Sequence, residues 1–244
     1  MRTENDKNVN ELRIGYYSSI FLAVITLIAF GFAMTAIPPS GPYCPGNCME
    51  YPFLDSLNYY PRDYYWMYFA CLQLITFIIF VISIHFVSAP EKKIYSFIGI
   101  SFSMVTSVIL LADYFIQFAV VPISFMKGET EGIGLLSQYN GHGIFIALEE
   151  LGFIMMSLSL LFIAPVFSRQ IRFESWIWWI LKIPITGIVV SFVYYNIKYG
   201  IDRSYRFEVA AITFNWLILI VVGILAGVYF KRKLKLAVQR TGLK

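Results

Sequence analysis

Charge is what this sequence has least of. Of 244 residues only 14% are Asp, Glu, Lys or Arg, while 58% are hydrophobic. A soluble domain carries about a quarter charged residues, so an ordinary soluble domain is excluded, and no polar block is long enough to form one. Histidine is almost missing, with only His85 and His142. That rules out the three-histidine membrane hydrolases and the histidine-box diiron oxygenases, which need more imidazoles. The chain has no GxxxxGK[ST] phosphate loop, no GxSxG nucleophile elbow and no HExxH pair, which removes the chemistries those motifs serve. No internal repeat and no low-complexity tract stands out. The net charge of +4 is not a nucleic-acid footprint, because its excess flanks apolar segments, and no nucleic-acid partner is expected.

What the sequence does have is apolar segments of bilayer length. They predict an all-α polytopic membrane protein, a bundle of six transmembrane helices in one integral membrane domain, 1–244. The spans fall at about 16–37, 65–87, 95–121, 144–167, 176–195 and 209–230. The first is longer than a signal-peptide core and lacks a small-residue cleavage site, so it is expected to be retained. Pro38 and Pro39 stop it. Tyr59, Tyr60, Tyr64, Tyr65 and Trp66 form one aromatic belt, and Trp176, Trp178 and Trp179 the opposite one. Six spans put both termini on one side. That side collects thirteen Lys and Arg, Arg2 and Lys244 among them, against five on the other. Such a bias predicts a cell-membrane protein with cytoplasmic N- and C-termini. Lys182, near the terminal-side end of the fifth span, can snorkel to the surface.

Cysteine is scarce, with three in all. Cys44 and Cys48, in the run CPGNC, fall on the oxidising side, where a structural disulfide is expected. A zinc site would want four ligands, so no metal is expected. Cys71 reads as core.

Polar groups inside the spans are the candidates for function, since ionisable side chains at membrane depth are costly unless paired or hydrated. Asp113 lies roughly 12 Å below the outer surface at 1.5 Å per residue, Glu149 and Glu150 roughly 8 to 11 Å, Gln73 roughly 12 Å and Asn215 roughly 9 Å. Four helices thus bring carboxyls or amides to one layer. Gln117 shares a face with Asp113, and His142 shares one with Glu149 if the helix starts early enough. Asp113 is expected to share a cavity with Glu149 or Glu150, with Gln117 and His142 towards its mouth. Neighbouring Glu149 and Glu150 cannot face the same way. Gln73 and Asn215 also suit the role of amides that join helices.

The run QYNGHGIFIALEELG, Gln138–Gly152, resembles a group of multi-pass microbial membrane proteins in which an Asn-x-His-Gly turn leads into a helix bearing a Leu-Glu pair. The match rests on Asn140, Gly141, His142, Gly143, Leu148, Glu149 and Glu150, with Asp113-Tyr114 upstream. The resemblance implies a six-span membrane protein and brings no activity with it.

Three functions fit these residues. The first is small-ligand or cation binding, or proton-linked transport, at Asp113 with Glu149 or Glu150. The second is a lipid-modifying enzyme using His142 with a carboxylate as acid and base. The third is a structural or regulatory role in which the polar layer only fixes packing. Membrane lipid is the expected partner, and no cofactor is specified.

Overall fold

The computed structural model describes residues 4–36 and 39–241, and for 4–8, 240 and 241 the backbone only. Among these the chain forms helices and no strand. The span end at Ile37, the break at Pro38, and Arg2 and Lys244 of the charge count lie outside the described residues. In order the helices are α1 (Glu4–Thr35), α2 (Tyr65–Phe86), α3 (Lys93–Ala119), the short α4 (Val121–Met126) and α5 (Ile133–Leu136), α6 (Ile144–Ile163), α7 (Arg172–Ile180), α8 (Ile183–Tyr199) and α9 (Tyr205–Thr241). Six stretches are long and apolar enough to cross a membrane, the fifth being α7 and α8 together. The protein is an all-α polytopic bundle.

Two features depart from a plain reading of the apolar runs. The long connection after α3 is not irregular, since it holds α4 and α5. The fifth crossing breaks at Leu181–Lys182, because Pro184 has no N–H to give the ladder. At the break the Lys182 ammonium lies 3.3 Å from the centre of the Trp178 ring, a cation–π contact at the membrane edge.

Packing makes a ring. α1 lies against α9 and α2, α2 against α3, α3 against α6, and α6 closes onto α9, with α8 outside on α9 and α6. Lipid tails offer no hydrophobic gain between helices, so close contact comes from small residues and polar bonds. α9 presents Gly223 to α1, where a Cβ would sit 2.7 Å from the Ser19 carbonyl oxygen. α3 and α6 run antiparallel, with the Ser159 hydroxyl donating to the Gly99 carbonyl at 2.8 Å. α6 and α9 run the same way. There the Asn215 amide donates to the Phe153 carbonyl at 3.2 Å, and its oxygen accepts from the Ser157 hydroxyl at 3.1 Å. Thr76, Ser83 and Ser88 turn their hydroxyls back to carbonyls four residues earlier, which satisfies them without water.

The hub is Trp216, fully buried on α9. Phe30 of α1, Trp66 of α2 and Phe153 of α6 meet it edge-on at 6.0, 6.0 and 6.3 Å, and Trp66 in turn meets Tyr114 of α3 at 5.2 Å. Five crossing helices are therefore fixed against one another by aromatic edges. The candidate site sits next to this hub, on the side of the long loops.

On that loop side Cys44 and Cys48 form a disulfide. On the terminal side the Lys92 ammonium donates to the Val166 carbonyl at 3.2 Å, which caps the end of the α6 segment.

Candidate functional site

Two helices, α6 and α9, bring carboxyls to one cavity, while Asp113 on α3, expected to share it, does not line it. Tyr114 on α3 donates its hydroxyl to Glu149 Oε1 on α6 at 2.8 Å. The antiparallel register explains the meeting, since Leu110, one turn earlier, packs at Gly152. Glu208 on α9, one turn from the helix start, lines the same cavity as Glu149, close enough for the two carboxyls to act on each other. Two carboxylates buried so near one another repel unless a proton or a cation lies between them. Asp113 precedes Tyr114 and lies close enough for its charge to act on Glu149. Exposures are 2% for Asp113, 1% for Glu149 and 6% for Glu208. Among the described residues Asp113 Oδ2 has no hydrogen-bond partner, and an unpaired buried oxygen costs about 1–3 kcal/mol or more if charged.

A cavity of about 150 Å³ opens onto the pair, lined by Glu149 and Glu208 together with Asp63, Trp66, Tyr139 and Tyr205. That is room for several waters or a hydrated ion. Its outer wall is a hydrogen-bonded knot of loop residues. Ser40 Oγ donates to the Tyr139 carbonyl at 2.7 Å and meets the Tyr205 hydroxyl at 2.8 Å. Tyr139 donates its hydroxyl to Asp63 Oδ2 at 3.3 Å, and Arg62 pairs with Asp63 Oδ1 at 2.6 Å. Burial, with Tyr64 and Asp63 close by, pushes the Tyr139 phenol well above the ordinary tyrosine range, so it stays a donor.

The remaining sequence candidates fall elsewhere. Glu150 is turned to the next face of α6 and pairs with Arg203, Nη2 to Oε2 at 2.5 Å and Nε to Oε1 at 3.3 Å. Gln117 is buried but ties the loop down, donating to the Leu136 carbonyl and accepting from the Gln138 N–H at 3.0 Å. His142 shares no helical face with Glu149, because α6 starts only at Ile144. It is exposed in the preceding turn and does not line the cavity, so the acid–base partner of the lipid-enzyme reading is not beside the carboxyls. Asn215 joins α6 to α9. Gln73 is buried on α2, its Nε2 without a partner among the described residues.

The Asn-Gly-His-Gly turn has its own physical reason. Asn140 is fully buried, donating to the Gly134 carbonyl at 3.0 Å and accepting from the His142 N–H at 3.2 Å. A Cβ on Gly141 would run into Ser204 Oγ, so this turn is a packed knot against the start of α9.

No family model, no curated protein and no solved structure matches this chain. What the site can do rests on its own geometry.

Glu208 is not among the candidates read from the sequence, because it lies one residue before the sixth span expected at 209–230. A signal was present, because Glu208 falls at helical spacing with the buried Ala211, Asn215, Leu219 and Val222. Extending that stripe backwards reaches it. Among the described residues no three His, Cys, Asp or Glu side chains are grouped to hold a metal ion. The arrangement suits a proton or an organic cation, which two carboxyl oxygens can bind without a full coordination shell.

Proposed function

We propose that this integral membrane protein binds and releases a proton or a cation at the Glu149–Glu208 pair, as the working site of a proton- or cation-linked transporter or receptor for a small ligand. One observation carries the reading. Two carboxyls from different helices line one cavity, close enough to act on each other, and one oxygen of a third carboxyl, Asp113, has no hydrogen-bond partner among the described residues. A layer built only to hold helices together would pair its groups, as Asn215 does. The lysine and arginine bias supports placing the long-loop side outside the cell and both termini in the cytoplasm.

The test is infrared spectroscopy of the purified full-length protein. The wild type holds a carbonyl stretch from a protonated buried carboxyl, and both Glu149→Gln and Glu208→Gln lose it. Retention of the whole band in both variants, or its absence from the wild type at neutral pH with no cation bound, overturns the reading.

A further inference from the structure

The carboxyl cavity does not end at its own walls. A second hollow of about 530 Å³ lies between α1 and α9, and Glu208, Val209, Trp66, Tyr43 and Ala36 line both spaces. That volume is typical of a small-molecule site. Beyond the shared residues its walls are almost wholly apolar, with Phe30, Ala33 and Met34 from α1 facing Ile212, Thr213 and Trp216 from α9. Its rim faces the bilayer, where Met34 is 68% and Val209 42% exposed. The inner wall is closed by the fully buried Trp216.

The hollow is an apolar slot with exposed residues at its rim and an acid at one end. Resting on the proton- or cation-site reading above, we infer that the ligand is a long-chain amine that enters sideways from the bilayer, its alkyl chain between α1 and α9 and its ammonium at Glu208 and Glu149. Charge complementarity selects the head, since an ammonium gives up to three N–H donors to carboxyl oxygens. The rings of Trp66 and Tyr43 at the junction favour a cation over a neutral group. Chain length selects against small polar amines, which gain nothing from the apolar slot.

The probe is dodecylamine, titrated into the full-length protein in phosphatidylcholine nanodiscs and followed by tryptophan fluorescence, with empty nanodiscs as the blank. Saturable binding is expected, with dodecanol and methylamine each weaker by about tenfold or more. Thr213→Phe fills the slot without altering a carboxyl and should weaken dodecylamine by about tenfold, while the infrared carboxyl band stays. Ala33→Leu fills it from the opposite wall and gives the same answer should Thr213→Phe not fold. Dodecanol or methylamine binding as well as dodecylamine, or both slot-filling variants binding it normally, overturns this inference and leaves the carboxyl reading standing. Loss of the band from the wild type overturns the reading beneath it.

Discussion

Replacing Asn215 by Leu separates a strut from a ligand group. The amide makes two bonds to α6, to the Phe153 carbonyl and from the Ser157 hydroxyl, and a third at 2.9 Å to the Ala211 carbonyl of its own helix. Interhelical hydrogen bonds in a bilayer are worth about 0.6 kcal/mol on average, so the two to α6 are worth about 1.2 kcal/mol together by the same measure. Leu is nearly the same size, so no cavity opens. The Ser157 hydroxyl, once released, can turn to the Phe153 carbonyl four residues back on its own helix. The expected loss is therefore about 1 kcal/mol and not above about 2 kcal/mol. Equilibrium unfolding in mixed micelles with rising dodecyl sulfate, read by tryptophan fluorescence, measures it. The carboxyl infrared band should be untouched. A cost above about 3 kcal/mol, beyond what these bonds hold, or loss of the band with the fold intact, would refute the strut.

Gly223→Leu pushes a side chain against the Ser19 carbonyl, which as backbone cannot give way, and should cost about 2–3 kcal/mol or more in the same assay; an unchanged midpoint would show that α1 and α9 are not in close contact. Thiol counting on denatured, unreduced protein should find Cys71 alone free, since Cys44 and Cys48 are bonded. In a Cys71→Ser background, an impermeant thiol reagent on intact cells should label a cysteine placed at Glu129 and spare one at Leu236, and the reverse pattern would invert the topology. Arg203→Met removes the partner of Glu150 on the outer face of α6, a part-exposed pair worth about 0–1 kcal/mol, and should leave dodecylamine binding unchanged.

The helices were legible because a bilayer leaves a chain few options: each crossing needs an unbroken apolar run. The matching level of Asp113 and Glu149 on their helices was legible too, since 1.5 Å per residue puts them in one layer and Tyr114, next to Asp113, meets Glu149. Direction was not. Glu149 and Glu150 sit about 100° apart on the helix, and only the distant partners, Glu208 for one and Arg203 for the other, decide which turns inward. Glu208 escaped because the apolar run of the sixth span starts after it, although the helix already begins at Tyr205. Gln117 and His142 depend on how the loop after α3 folds back. α4, α5 and the buried Asn140 turn settle that through contacts no periodicity records.

α8 lies outside the ring, and that position decides what holds it. Only Pro184 and Ile188 are buried along its 17 residues, while Val190, Val193 and Ile197 are 62, 50 and 82% exposed. Very little of its free energy of placement comes from the protein. It comes from the solvent, so a change of hydrocarbon thickness acts on α8 before it acts on any helix of the ring. Its amides are the first crossing segment expected to exchange with deuterium when the lipid is thinned or stripped, and the break at Lys182 is the point about which it would tilt.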